Sequence, residues 1–371
     1  MLQHVKVLAE EIGPRSSCTA QEKKAAGYIK NELSAMGLEP RLENFSAATS
    51  FSWAFGLIYF LFVIAAVVFP FQAAKGFILV LLGIVAFCFE SHTFSFFSRL
   101  IPKKTSQNVV AKIPARSKPI RKIVLMAHYD SSCSVWNFAP QMYKNFRLNY
   151  LLITGAMVLM VILYALGTWS QISSLLLWLV SLPPAVYLLI TLFLLVHREL
   201  KGAYTPGAND NASGVAVLLE VAKILKSHPP LTTQVTLLAT GAKESGTKGV
   251  LAFLRRHRPA KDTFFINLDN PGSSRTAVIT REGILGSKPS SPELLFLARR
   301  VCRDKKIEAT FRPYSLLNTD GTASLTRGYQ TVSIMAFDEE GMLPDRAKHV
   351  REEKLKKAKE LVVGLIRQVE S

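Results

Sequence analysis

Cysteine is sparse: four residues in 371, Cys18, Cys88, Cys133 and Cys302, with no C-x-x-C pair among them. That excludes reading a disulfide framework or a thiolate zinc site. Acidic residues are also few, 27 Asp and Glu against 45 Lys and Arg, for a formal net charge of +18. No interleaving of aromatic with basic residues accompanies this charge, so nucleic acid is not expected as a partner. A surface lying against anionic lipid fits it better. The opening "MLQHVKVLAEEIG" is amphipathic and carries acids, unlike a secretory leader, so no signal peptide is expected.

What the chain has in quantity is apolar surface. Hydrophobic residues make up 49% and the mean hydropathy is +0.22, too apolar for an ordinary soluble enzyme and too charged for a bare membrane bundle. Four runs account for it: Phe51 to Pro70, Gly76 to Phe89, Leu148 to Trp169, and Leu175 to Val196. A helix needs ~20 apolar residues to cross a bilayer core. The first, third and fourth runs meet that length; the second is short, bounded by Lys75, Glu90 and His92. A lone first span would put the two halves of the chain on opposite sides of the bilayer, so two hairpins are expected, turning near 71–75 and 170–174. Their shared flanks carry Arg99, Lys103, Lys104, Lys144, Arg147, Arg198 and Lys201, whereas the short turns carry only Lys75. By the positive-inside rule the hydrophilic parts face the cytoplasm. The expected organisation is a hydrophilic domain in three pieces, 1–50, 99–147 and 197–371, interrupted by transmembrane hairpins at 51–98 and 148–196.

The hydrophilic pieces read as one α/β domain. Helical periodicity marks Gln21 to Met36, Ala212 to Lys226, Gly249 to Arg256 and Glu353 to Val369. Buried-strand patterns mark "SQNVVAKIP", "RKIVLMAHYD", Gln234 to Thr240, Thr263 to Leu268 and Gln330 to Phe337. Alternating strands and helices predict a mixed, mostly parallel sheet covered on both faces. Sites in such sheets form beyond the carboxyl ends of the strands.

Those ends carry His128 and Asp130 ("AHYD"), Glu244 ("TGAKESG") and Asp269 ("INLDN"), while Asp210 stands at a helix start in "GANDNASG". Singly, each has an ordinary explanation: Asp210 as an N-cap, His128 as a core histidine, Glu244 and Asp269 as loop acids, and Lys243 as a surface lysine. Together, a histidine and several acids at corresponding strand ends suggest a divalent metal, with zinc suited to imidazole and carboxylate. Asp130 is then the group that fixes the tautomer of the His128 ring.

In order along the chain, "GPRSSCTAQEKKAAGYIKNELSAMGLEP", "AHYDSS", "GANDNASGVAVLLEVAKIL", "LLATGAKESGTKGVLAFL", "INLDNPG" and "TDGTASLTRGYQTVSIMAF" resemble the family-28 metallopeptidases, co-catalytic zinc aminopeptidases related to glutamate carboxypeptidase and glutaminyl cyclase. The resemblance implies a phosphorylase/hydrolase-like α/β fold and two zinc ions bridged by Asp210. His128 and Asp269 would complete one ion and Glu244 would serve the other. Three departures stand out. Lys243 occupies the place of the glutamate that serves as general base, and the loop "GMLPDRAKHV" is shorter than the family's and offers no obvious late histidine for the second ion. Where the family often has Ser-Asp-His, this chain has Thr319-Asp320-Gly321. Since Asp210 and Glu244 alone are poor zinc coordination, the Lys243 ammonium is expected to take the second ion's place by pairing with Glu244, leaving one ion rather than two, or none. Two functions follow: an aminopeptidase of reduced activity at the membrane, or a pseudo-peptidase that binds peptides or partner proteins there.

Overall fold

A computed structural model describes residues 1–134, 145–337, 345 and 347–370. The chain divides into two compact units, Met1–Thr49 with Lys103–Ser134 and Tyr204–Ser371, and Ser50–Pro102 with Val135–Ala203.

The first unit is built on a nine-stranded mixed sheet. Its strands are β1 (Arg41–Ala48), β2 (Lys103–Ile113), β3 (Arg121–His128), β4 (Thr233–Thr240), β5 (Phe264–Leu268), β6 (Arg275–Glu282), β7 (Lys288–Pro289), β8 (Ala309–Tyr314) and β9 (Gln330–Phe337). They lie in the order β1-β2-β4-β3-β5-β9-β6-β8, with β7 on β6. The central strands β4, β3, β5 and β9 are parallel, and antiparallel pairs flank them. Period-two alternation explains why both faces are covered. Ile123, Leu125 and Ala127 pack with Ala25, Ile29, Val215, Leu218 and Leu361, from helices Ala20–Ala35, Gly214–Ser227 and Glu352–Gln368. Val124 and Met126 pack on the opposite face with Val250, Phe253 and Phe265, where helix Lys248–His257 lies.

Several elements escaped the sequence reading. β1 and β8 are edge strands whose residues alternate with solvent, and β1 carries Arg41, Glu43, Asn44 and Ser46. Its strand state comes from pairing with β2 along its whole length, from Arg41↔Val110 to Ala48↔Lys103, rather than from propensity. Helix Pro292–Asp304 did have a legible start: Ser291 accepts from the Leu294 amide and Pro292 opens the helix.

Among its described residues the second unit holds four apolar helices, Ser52–Val68, Ala73–Ser91, Phe146–Trp169 and Ser174–Lys201. Three are long and apolar enough to cross a membrane; Ser52–Val68 is apolar but has 17 residues. Lengths within the first pair thus reverse the expectation. The run from Phe51 stops at Val68 because Pro70 has no amide and restricts the residue before it, whereas Ala73–Lys75 and Glu90–Ser91 extend the second run to 19 residues. Small residues admit aromatic rings between helices: a Cβ on Gly83 would lie 2.5 Å from Phe62, and one on Gly167 2.4 Å from Phe69, whose ring stacks on Tyr164 at 3.8 Å. Near the ends of two helices the buried Arg198 donates to Ser50 and Ser52 at 3.1 and 2.9 Å and pairs with Glu199 at 2.8 Å. Lys144, counted among the basic flanks, lies outside the described residues.

Candidate metal centre

Strand register sets the first layer of the site. In the parallel ladder His128 stands opposite Thr240, and Ala127 opposite Leu268, so His128 ends level with the start of the 241–244 turn and with Asp269. The fourth group arrives on a separate loop. Gly207 takes the left-handed conformation (φ 65°), Asp210 and Asn211 depart from helical angles, and helix Gly214–Ser227 begins only after them. Asn211 knits loop to strands: its amide donates to the Leu268 and His128 carbonyls at 2.8 and 3.2 Å, and its carbonyl accepts from the amides of Asn270 and Gly214 at 3.0 and 3.1 Å.

His128 is 1% exposed. Its Nδ1 lies 3.1 Å from the Asp130 carbonyl, which can only accept, so that nitrogen carries a proton and Nε2 points at the acids. The Asp130 carboxylate, expected as the orienting group, is slightly farther away, with Oδ1 at 3.4 Å. It also accepts from the Lys243 and Glu244 amides at 3.2 and 2.9 Å and from Ser17 at 2.8 Å. Asp130 thereby joins the imidazole to the turn that carries Lys243 and Glu244. Glu22 supports the same turn, accepting from the Ala242 amide and Ser106 with one oxygen and from the Cys18 amide with the other.

From His128 Nε2 it is 3.1 Å to Asp210 Oδ1 and 3.9 Å to Asp269 Oδ1. All three atoms are buried and lack a hydrogen-bond partner. Two buried carboxylate oxygens turned to one imidazole nitrogen are costly to bury unless positive charge joins them, and the His128 and Lys243 charges or a metal ion can supply it. Zinc bonds of ~2.0–2.2 Å place tetrahedral ligand atoms roughly 3.4 Å apart; the 3.1 Å between His128 Nε2 and Asp210 Oδ1 is close to that spacing, and the 3.9 Å to Asp269 is wider. Glu244 approaches the same centre: His128, Asp210 and Glu244 offer ligand atoms within 4.8 Å of one another.

Lys243 is not a surface lysine. Its side chain is 8% exposed, and Nζ lies 2.7 Å from Glu244 Oε1, 3.8 Å from Asp210 Oδ1 and 4.0 Å from Asp269 Oδ2. Burial works against its charge, but Asp210, Glu244 and Asp269 outweigh burial and hold it well above the usual lysine range. Burial and neighbouring carboxylates push Glu244 up while Lys243 pulls it down; the 2.7 Å contact makes the ion pair the state adopted here. Burial and Lys243 depress His128, yet Asp130, Asp210 and Asp269 hold it well above the ordinary histidine value in the metal-free protein. Against burial, Lys243 and His128 keep Asp210 below the normal carboxylate range, and the bond to His128 does the same for Asp130.

Three groups around the centre were given no role by the sequence reading. Asp320, buried at the start of helix Asp320–Thr326, accepts from Thr240 Oγ1 at 2.5 Å, and burial pushes it up to about 6. Arg15, 0% exposed, serves five backbone carbonyls. Asp345 accepts from the Asn209 and Asp210 amides. Arg15 lies in the quoted "GPRSSC" and Asp345 in "GMLPDRAKHV", but neither spacing says what they touch. Residues 341–344 and 346 of that late loop lie outside the described residues. His349 stands in the Ala347–His349 turn, outside the cluster of ligand atoms.

Residues 193–366 match the model of Peptidase family M28. Over 74 residues the chain is 38% identical to Aminopeptidase YwaD of Bacillus subtilis (strain 168), a match spanning 19% of this chain and 16% of that protein. BSAP, a zinc aminopeptidase from Bacillus subtilis, superposes with a TM-score of 0.57 at 17% identity, covering 99% of this chain and 93% of that one. Bacteroides thetaiotaomicron glutaminyl cyclase does so with a TM-score of 0.55 at 15% identity, covering 99% and 96%. At such identities these likenesses establish the fold. The match to Peptidase family M28 itself rests on residues 193–366.

Proposed function

We propose that this protein is a membrane-anchored, aminopeptidase-type zinc metallopeptidase that works with one zinc ion and a weakened proton-transfer apparatus. The observation that carries the reading is the convergence of His128, Asp210 and Glu244, whose ligand atoms lie within 4.8 Å of one another, with Asp269 Oδ1 3.9 Å from His128 Nε2. Zinc at such ligands supplies a Lewis acid and lowers the pKa of its water to about 7. The chain's own groups do the rest. Asp130 keeps the His128 ring turned toward Asp210 and ties it to the 243–244 turn. Lys243, a cation paired with Glu244, stands where the resemblance calls for a proton-accepting glutamate, and a cation cannot take that proton. The missing base contribution is worth ~10²- to 10⁴-fold in rate. The same ammonium, within 4.0 Å of Glu244, Asp210 and Asp269, supplies the positive charge that a second ion would bring.

Peptides are the proposed substrates, and the four apolar helices are proposed to form two hairpins, at 51–98 and 148–196, with the hydrophilic pieces facing the cytoplasm and anionic lipid. A second reading, a pseudo-peptidase that binds peptides or partner proteins, is favoured by one observation, the loss of a base at residue 243. Metal content and turnover separate the two. The purified protein is expected to hold one zinc per chain by elemental analysis and to release leucine slowly from leucyl-p-nitroanilide, with both lost in His128→Ala. Two tightly held zinc ions in the wild type would overturn the ammonium's role. A silent wild type whose Lys243→Glu variant gains turnover would favour the pseudo-peptidase.

A further inference from the structure

The loop that delivers Asp210 is irregular backbone, and two side chains of opposite charge, the buried Arg15 and the half-buried Asp345, hold it from distant parts of the chain. Arg15 donates from Nη1 to the Pro206 carbonyl at 2.7 Å and from Nη2 to the Gly207 carbonyl at 2.8 Å. Nη1 also reaches the Leu8 and Gly13 carbonyls, and Nε donates at 2.8 Å to the Tyr129 carbonyl, next to Asp130. On the other side Asp345 Oδ1 accepts from the Asn209 and Asp210 amides at 2.5 and 3.1 Å, and Oδ2 from Thr205 Oγ1 at 3.1 Å.

The division of labour follows peptide chemistry. Over residues 205–210 the carbonyls turned to one side meet a cation with five fixed donors, and the amides turned to the other meet a carboxylate. Gly207 permits the approach, since a Cβ there would lie 2.6 Å from Arg15 Nη2 and 2.5 Å from Ser131 Cβ. Arg15 makes no ion pair among the described residues; the carboxylate charges that reach it are those of Asp345, Asp130 and Asp210. A buried guanidinium without a contacting anion is expensive unless its donors are filled by backbone carbonyls. Here the acceptors are the loop, the strand end that bears Asp130 and the Leu8 and Gly13 carbonyls.

We infer that Arg15 and Asp345 are positioning residues of the metal centre, a two-sided charge clamp that orders residues 205–210 so that Asp210 faces His128. The inference rests on Asp210 being a metal ligand for its effect on affinity, but not for its effect on the loop. Two readouts on the full-length protein in detergent therefore test it. In metal-free protein, hydrogen exchange of a peptide covering 204–213 is expected to quicken at least ~10-fold in Arg15→Gln and in Asp345→Ala, with core-strand peptides unchanged. Unchanged exchange in that peptide overturns the clamp whether or not metal binds, and so does acceleration spread evenly over the unit.

In the second readout, calorimetric titration with cobalt is expected to show affinity lowered ~10- to 100-fold by either substitution, the usual effect of removing a partner behind the ligands. The double variant should lose less than the product of the two losses, because both hold one loop. Asp345→Asn, which keeps an acceptor for the amides, should lose less than Asp345→Ala, and added guanidinium ion should restore binding to Arg15→Ala. Wild-type affinity in all variants overturns the clamp. A wild type that binds no cobalt sinks the metal reading and leaves the exchange experiment to decide the clamp. Should Arg15→Gln fail to fold, Arg15→Lys keeps the charge but not the five-donor fork, and the same two measurements apply.

Discussion

At the scale of residues, the centre is set by where charge is buried and what faces it. Asp320 is instructive because it is not a ligand. Burial raises it from 3.8 to about 6, since its one oxygen meets Thr240 while Oδ1 finds no partner. A carboxyl raised on folding holds a proton that the unfolded chain releases. Its contribution is complete below about 3.8 and is lost as the pH climbs through about 6. Relative to wild type, metal-free Asp320→Asn should therefore gain stability across that window, on the order of 3 kcal/mol by neutral pH. Thermal melts of both proteins at a series of pH values check this; parallel profiles would be wrong for a raised Asp320. The motif residues His128, Asp210, Glu244 and Asp269 were legible because strand ends and a glycine-flanked turn announce them. Asp320, Glu22 and Arg15 were not, because nothing local distinguishes a buried charge from an exposed one.

Elements place these residues, and one contact shows how tightly. Helix Lys248–His257 docks against the end of β4 through Gly249, whose carbonyl accepts from Asn108 Nδ2 at 2.8 Å. A Cβ on Gly249 would lie 2.3 Å from the Gly241 carbonyl oxygen, 2.7 Å from Asn108 Oδ1 and 3.0 Å from the Gly241 nitrogen. Two of these are backbone atoms of the turn leading to Lys243 and Glu244, so neither can step aside cheaply. Gly249→Ala is expected to cost ~1–3 kcal/mol of stability as an overpacked site and to weaken cobalt binding by shifting that turn. Denaturant unfolding together with a cobalt titration would check both effects. Strands buried on both faces could be read directly from the chain, as Ile123–Ala127 shows. The edge strands could not: β1 is polar along half its length and becomes a strand because β2 lies beside it.

For the whole molecule, the decisive property is the apolar unit 50–102 and 135–203. Ile78, Val85, Leu152, Ile162, Leu179, Ile190 and Phe193 are each more than a third exposed, a surface that water would not tolerate on three helices together. The protein is expected to stay with the membrane pellet through an alkaline carbonate wash and to leave it only with detergent. Release by carbonate alone would contradict a spanning role. Protease added to sealed membranes tests the orientation: a protected hydrophilic part in intact cells, cleaved after the inner face is opened, is the outcome that the basic flanks predict.

Local pattern was enough for the α/β class, the apolar runs, and the histidine and acids at the strand ends, because period-two burial, span length and motif spacing are written in neighbouring residues. It was enough to set the Lys243 ammonium against Glu244, found 2.7 Å away, but not for the burial of that pair inside a ring of acids. Nor did it assign Arg15 and Asp345 to the Asp210 loop. Those contacts join residues 191 and 136 positions apart. A charge buried by distant chain acquires its partners, and so its chemistry, only when the sheet and its loops have closed around it.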